Sequence, residues 1–173
     1  MRKFPFFVAG ASLLAAASAY RAFFDLFSYF AQYDDTGSML SIIQGFNERG
    51  GLYRQIFSPY GPFCSEFYLF VGRILSVPIT HDGLRWIVLV LWVGSSLAGS
   101  AIAYRLTRRI WVALLVQALS FQMLDPLAEE PGHPVSLVAA LVAAFALVVN
   151  SPREDKVGRI NEKYGALASP SGL

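Results

Sequence analysis

The sequence predicts an all-α, polytopic membrane protein with about four transmembrane helices and two further helices on the outer membrane surface. Hydrophobic residues make up 55% of the 173 residues, and the mean hydropathy is +0.48, which leaves little room for a soluble domain. Residues 4–20, 87–104, 110–124 and 134–150 carry no charged side chain. The charged side chains collect instead in the connections between these stretches, as in a membrane bundle.

Each uncharged stretch lies near or below the lower end of the roughly 17–25 residues that cross a bilayer, so tilt or local thinning has to help. We predict spans at residues 4–30, 84–104, 110–124 and 131–150. Trp86 and Trp111 lie at segment ends, as interfacial anchors do. Small residues four apart in residues 94–100 predict close helix packing.

The first span has an alternative interpretation as a cleavable signal peptide. Arg2 and Lys3 precede an apolar core, and residues 17–19 read Ala-Ser-Ala. The hydrophobic pattern continues past that site, however, and Arg21 and Asp25 are spaced to pair on one helix face. We therefore predict an uncleaved span in which this pair faces protein.

The connection over residues 31–83 is predicted to hold the two surface helices. Residues 36–48 have apolar side chains at helical spacing, and Gly50 and Gly51 end the pattern. A Gly/Pro turn at residues 59–62 then precedes a second helix at 63–77. This second helix contains Glu66 and Arg73, each costing about 3 kcal/mol at the midpoint of a transmembrane helix, so it is predicted to lie on the surface.

Charge asymmetry predicts that both termini are cytoplasmic. With four spans, nine Lys or Arg residues lie inside and four outside, whereas eight of the twelve acidic residues lie outside. A crossing at residues 63–80 would move the basic turn at 105–109 and the basic tail outside, against the positive-inside rule. The chain is thus predicted to be an integral protein of the plasma or inner membrane, with a disordered cytoplasmic tail at 151–173.

The sequence contains no zinc-protease, phosphate-loop or serine-nucleophile signature. A lone cysteine, Cys64, excludes an intrachain disulfide and has no predicted role. The adjacent Asp34 and Asp35 follow the first span directly. Asp35 could simply cap the helix at 36–48, which is a common use of Asp, or the pair could be functional.

The residues around this pair resemble the membrane-embedded C-type glycosyltransferases (GT-C fold), which include protein O-mannosyltransferases and aminoarabinose transferases. Those enzymes place two acidic residues at the end of the first span, as Asp34 and Asp35 are placed here. A surface helix follows, then motifs echoed by residues 51–53 (Gly-Leu-Tyr) and 60–62 (Tyr-Gly-Pro). The same enzymes then have a second surface helix, an arginine like Arg85, a basic turn and an outer acidic residue before proline. The order of these features matches this chain over about residues 4–150.

The resemblance implies transfer of a sugar from a polyprenyl-phosphate donor on the outer face of the membrane. Asp34 matches the position of the base that takes the acceptor proton, with Asp35 beside it. The donor phosphate would contact arginine, whose guanidinium matches phosphate oxygens. The residues expected to bind substrate are Arg85, Arg54, Arg73 and Tyr60.

A divalent cation is a further candidate for the outer side. Asp125, Glu129, Glu130 and His133 supply carboxylates and an imidazole, which are ligands for such ions. No spacing among them requires a metal, and solvated loop residues are the alternative.

Members of the resembled family have eight or more spans, whereas four are predicted here. The chain is therefore expected to be a truncated or split N-terminal portion of such an enzyme. Its expected partners are the bilayer, the lipid-linked sugar and a C-terminal half or other membrane subunit, and no nucleic acid is expected. Two other classes stay open: a non-catalytic membrane subunit or scaffold, and a small transporter built around Arg21 and Asp25.

Overall fold

The computed structural model describes residues 4–28, 35–49 and 61–125. It also describes seven helical positions further along the chain: Val138, Leu141, Val142, Ala144, Phe145, Ala146 and Val149. Across these residues the secondary structure is helical and contains no strand, so the all-α prediction is confirmed for the described part of the chain.

Three helices, α1 (Phe4–Ser28), α4 (His81–Thr107) and α5 (Ile110–Met123), form a bundle. Phe7 near the start of α1 stacks on Tyr104 near the end of α4, with ring centroids 4.1 Å apart. Trp92 in α4 stacks on Phe121 near the end of α5 at 4.3 Å. Helix α4 therefore runs antiparallel to the other two, and the ends of α1 and α5 meet the start of α4.

Two shorter helices, α2 (Asp35–Arg49) and α3 (Gly61–Leu75), cover that same end of the bundle. Each contributes to a buried apolar cluster that also includes residues from the end of α1 and the start of α4. The members of α2 and α3 in this cluster are Met39, Ile43, Cys64, Tyr68 and Leu69. Side chains at helical spacing on α2 thus face the bundle, as the apolar pattern of residues 36–48 predicts.

The junction between α3 and α4 is fixed by local hydrogen bonds. Ser76 adopts a left-handed conformation (φ 53°), and the Val77 amide donates to the carbonyl oxygen of Gly72 at 3.1 Å, which ends α3. The Thr80 hydroxyl then accepts from the amide of Gly83 at 3.2 Å and caps α4. As a result, α3 ends two residues before its predicted limit and α4 begins three residues before.

Small residues let α4 approach α5 closely. A Cβ at Gly99 would lie 3.2 Å from Ser120 Oγ on α5, and Ser96 and Ser100 are fully buried. The prediction that the small residues at 94–100 serve packing is therefore confirmed. Leu141 lies 3.9 Å from where a Cβ at Gly94 would be, so this residue beyond α5 also packs against α4.

Two helices, α1 and α4, are long and apolar enough to cross a membrane. They have 25 and 27 residues, which at about 1.5 Å per residue gives lengths of roughly 37 and 40 Å. Helix α5 has 14 residues and is therefore only about 21 Å long. The rest of the predicted fourth span and the tail at 151–173 lie outside the described residues.

Candidate functional site

The end of the bundle covered by α2 and α3 carries most of the described polar side chains that the sequence singled out. Arg21 and Asp25 lie near the end of α1, Arg85 lies near the start of α4, and Asp125 follows α5. They form two separate groups, one around Arg21 and one around Arg85.

Arg21 lies at the centre of the first group. Its Nε donates to Asp25 Oδ2 at 3.1 Å, and its Nη1 donates to Gln122 Oε1 at 2.7 Å. Its Nη2 lies 3.4 Å from Asp125 Oδ2, which also accepts from Gln122 Nε2 at 3.3 Å. The predicted Arg21–Asp25 pair is thus confirmed as a contact. The same guanidinium also joins α1 to the end of α5, while about half of its side chain stays exposed.

The Arg21 group has a formal charge of −1, from one guanidinium and two carboxylates. Asp125 is mostly buried, with 18% of its side chain exposed, whereas half of Arg21 is exposed. The second oxygen of Asp125, Oδ1, is buried and has no hydrogen-bond partner within the described part of the chain. It is therefore an acceptor able to take a further hydrogen bond, since an ionised carboxylate has several lone-pair sites.

A double-mutant cycle should detect the contact between Arg21 and Asp125. Arg21→Gln and Asp125→Asn are each expected to lower the free energy of unfolding, and the pair should show a coupling energy of about 1 kcal/mol, because they share one network. Half of Arg21 is exposed, which keeps the expected value at the low end. The measurement is unfolding in mixed micelles by titration with a denaturing detergent.

Asp82→Asn provides the control for this cycle, since Asp82 pairs with Arg85 instead. Combined with Arg21→Gln, it should give additive losses. Equal coupling in the two cycles would mean that Arg21 does not contact Asp125 specifically.

Arg85 forms the second group with Asp82 and an aromatic cluster. Its Nη1 lies 3.6 Å from Asp82 Oδ1 one turn earlier on α4, and its guanidinium carbon lies 5.9 Å from the centre of the Phe27 ring. Trp86 packs against Phe27 and Phe23 at 5.2 and 5.8 Å. The guanidinium is thus held beside aromatic rings at the end of α1, a favourable place for a cation.

The structure describes only some of the remaining residues that were predicted to form the site. Arg73 lies on α3 and donates to Asn47 Oδ1 on α2 at 3.3 Å, away from both groups above. Helix α2 begins at Asp35, one residue before its predicted start. Asp34, Arg54 and Tyr60 lie outside the described residues.

The predicted cation site is described only at Asp125. Among the described residues no group of three or more His, Cys, Asp or Glu side chains could hold a metal ion. Glu129, Glu130 and His133 fall outside the described residues. The carboxylate of Asp125 contacts Arg21 and Gln122, which makes it part of the link between α1 and α5.

Two contributors to this end of the bundle were not predicted from sequence. Gln122 bridges Arg21 and Asp125, and the i, i+3 spacing from Gln122 to Asp125 is the only sequence signal for it. Trp92 donates its indole N–H to the carbonyl oxygen of Phe121 at 2.8 Å, and nothing in the sequence pairs those two residues.

No protein-family model, curated protein or solved structure matches this chain. The resemblance to C-type glycosyltransferases therefore rests on the order of short motifs along the sequence.

Proposed function

We propose that the chain crosses the bilayer four times with both termini in the cytoplasm, and that α2 and α3 lie at the outer surface. Two helices are long and apolar enough to span. Only 22% of the most apolar 18-residue window of α1, and 44% of that in α4, is buried inside the protein. A core helix of a soluble protein would be mostly buried, so this exposed apolar surface favours contact with lipid.

The positions of two exposed tryptophans also support the proposal that α4 and α5 cross a membrane. Trp86 near the start of α4 is 48% exposed, and Trp111 near the start of α5 is 63% exposed. Because α4 and α5 are antiparallel, these side chains lie at opposite ends of the helix pair. The 21-residue interval from Trp86 to Thr107 corresponds to about 32 Å of helix, close to the roughly 30 Å of a hydrocarbon core.

Labelling of an introduced cysteine tests this topology. Leu106→Cys at the end of α4 is expected to react with a membrane-impermeant maleimide only after the cells are opened, because the four-span arrangement puts this turn in the cytoplasm. Leu106 is 73% exposed. It is a better site than Thr107, whose hydroxyl donates to the Ala103 carbonyl and accepts from the Arg109 amide. Labelling in intact cells would contradict the proposed topology.

The native cysteine should give little background in this experiment. Cys64 is 1% exposed, and burial raises the pKa of its thiol to about 11. Because the thiolate is the reactive form, wild-type protein is expected to label slowly at neutral pH. Wild-type labelling before and after opening the cells therefore serves as the matched control.

We further propose that the chain is the N-terminal part of a GT-C-like glycosyltransferase that uses a polyprenyl-phosphate-linked sugar on the outer face. The observation that carries this proposal is the position of Asp34 and Asp35. In the sequence they come soon after the first predicted span, and Asp35 is the first residue of α2. Helix α2 packs at the end of the bundle where α3 and the start of α4 also meet. Short surface helices after an acidic pair are the arrangement that the resembled family has.

In the proposed reaction, Asp34 accepts the proton of the acceptor nucleophile as its oxygen or nitrogen attacks the anomeric carbon. The bond from the sugar to the carrier phosphate breaks, and the phosphate leaves with the bonding electrons. Arg85, Arg54 and Tyr60 are the proposed contacts for that phosphate, with guanidinium groups offsetting its developing charge. Of these residues, Arg85 is the one whose position the structure describes. Its partner Asp82 is largely exposed, so a phosphate could replace Asp82 as the partner of Arg85 at low cost.

A transfer assay tests this proposal. Membranes containing the chain, alone or with helices encoded downstream, are supplied with radiolabelled polyprenyl-phosphate sugars. The expected result is that label is lost from the lipid only in membranes that contain the chain. No transfer from any such lipid, with the downstream helices present, would reject the enzyme.

A non-catalytic membrane subunit is the second candidate function. The observation that favours it is the internal pairing of the described charges: Arg21 contacts two carboxylates, and Arg85 contacts Asp82. Two of these pairs lie within one helix, and the contact between Arg21 and Asp125 links α1 to the end of α5, so none of them needs a substrate. Under this alternative, substitutions at Arg21 and Asp125 would reduce assembly with a partner subunit, while substitution of Asp34 would have no effect.

A further inference from the structure

A cleft of about 380 Å³ lies between α2 and α3, apart from the groups around Arg21 and Arg85. Its lining is divided between apolar and polar side chains: Phe46, Leu69 and Phe70, with Asn47, Glu66 and Arg73. The cleft belongs to the two helices that cover one end of the bundle, which is where a bilayer surface would meet the protein.

Glu66 and Arg73 bring opposite charges to this cleft without neutralising each other. They are seven residues apart on α3, which separates their backbones by about 10 Å along the helix axis. This spacing exceeds the i, i+3 or i, i+4 separation at which helical side chains pair. Neither residue forms an ion pair with any residue in the described part of the chain.

The contact between Arg73 and Asn47 prepares one side of the cleft for an anion. Arg73 uses one Nη2 hydrogen to bond Asn47 Oδ1 at 3.3 Å, which leaves other guanidinium donors for a ligand. Because Asn47 accepts through its oxygen, its amide N–H groups are also left to donate. A guanidinium fork and an amide are suited to the oxygens of a phosphate diester.

We propose that this cleft binds the headgroup of a phospholipid that carries both a phosphate and a primary ammonium, as in phosphatidylethanolamine. The phosphate contacts Arg73 and Asn47, and the ammonium donates to the carboxylate of Glu66. Phe46, Leu69 and Phe70 contact the glycerol and the first carbons of the acyl chains. Phe70 is 62% exposed and so offers an apolar surface at the mouth of the cleft.

This proposal requires only that α3 lies at the membrane surface, and it involves no sugar transfer. The site would be a structural lipid site that holds α2 and α3 against the outer leaflet. Failure of the transfer assay therefore leaves it unaffected, and its own failure leaves the proposed reaction unaffected.

Calorimetric titration of the full chain in maltoside micelles with dihexanoyl lipids tests the proposal. Phosphatidylethanolamine is expected to bind more tightly than phosphatidylglycerol of the same chain length. Arg73→Gln should weaken both lipids by about tenfold or more, because it removes a charged hydrogen bond to the phosphate. Glu66→Gln should abolish the preference for the ethanolamine lipid, since the ammonium loses its acceptor, while leaving phosphatidylglycerol binding in place.

Two substitutions on the exposed end of α2 are matched controls. Arg49→Gln and Glu48→Gln change the net charge by the same amounts but do not touch the cleft, and both should bind as wild type does. Unchanged binding by Arg73→Gln, or equal weakening by Arg49→Gln, would overturn the proposal.

Two further measurements cover the remaining outcomes. If Arg73→Gln does not fold, Arg73→Lys keeps the charge but loses the paired donor geometry, and it should bind phosphate more weakly than wild type; equal binding would count against the site. Glycerophosphoethanolamine, which lacks acyl chains, should bind much more weakly than the lipid. Equal binding of this soluble headgroup would show that the cleft is not a lipid site.

Discussion

Asp34→Asn is expected to reduce sugar transfer by about 10²–10⁴-fold, the usual effect of removing a general base. Asparagine keeps the size of the side chain and loses the ability to accept the proton of the attacking group. The substituted protein should still accumulate in the membrane at wild-type levels, because a polar residue between α1 and α2 is not expected to support the core. The measurement is the transfer rate per amount of membrane-inserted protein.

Asp35→Asn is the control for this substitution, since it removes one carboxylate at the neighbouring position. If Asp35 serves chiefly the start of α2, asparagine should replace it at small cost, because both residues favour helix N-termini. A transfer rate in Asp34→Asn equal to wild type would exclude Asp34 as the base. Equal, large losses in both variants would indicate that the two carboxylates act together.

Trp92→Ala is expected to produce the largest loss of stability in the described residues, about 3–5 kcal/mol in the free energy of unfolding. The indole is completely buried and stacks on Phe121 at an interplanar angle of 4°. It also donates at 2.8 Å to the carbonyl oxygen of Phe121 near the end of α5, where backbone carbonyls commonly lack a helical donor. Alanine removes both the stacking and the hydrogen bond.

Two substitutions separate these contributions in the same detergent titration. Trp92→Phe keeps an aromatic ring and loses the donor, so it should cost about 1–3 kcal/mol for the unsatisfied carbonyl. Trp111→Ala removes an indole that is 63% exposed, and it should change the free energy by no more than about 0.5 kcal/mol. Similar losses at Trp92 and Trp111 would contradict the packing of α4 on α5.

The positions of the helices were predictable from the sequence to within about three residues. The turn at residues 59–62, the basic turn at 105–109 and the apolar spacing in 36–48 are local signals. Local geometry also predicted the Arg21–Asp25 pair, because residues four apart on a helix are always neighbours. The remaining boundary differences arise at Ser76 and Thr80, whose backbone and hydroxyl hydrogen bonds set where α3 ends and α4 begins.

The candidate site was only partly predictable, because its contacts join distant parts of the chain. Arg21 reaches Asp125 across 104 residues, and Arg73 reaches Asn47 across 26. The apolar pattern indicates that each helix has a buried face, but it does not indicate which side chain of another helix lies opposite. The sequence therefore predicts a cation site for Asp125 with Glu129, Glu130 and His133, whereas the structure shows its contact with Arg21.

By itself, the sequence determined the helical class, the order of the five described helices and the apolar character of α1, α4 and α5, all of which follow from short-range periodicity and composition. Only the tertiary structure decided which faces meet. The rotation of each helix about its axis depends on close contacts such as that between Gly99 and Ser120. That rotation sets Trp92 on Phe121, Arg21 beside Asp125, and the two charges of α3 along one cleft, because side chains project from a helix in directions fixed by its packing.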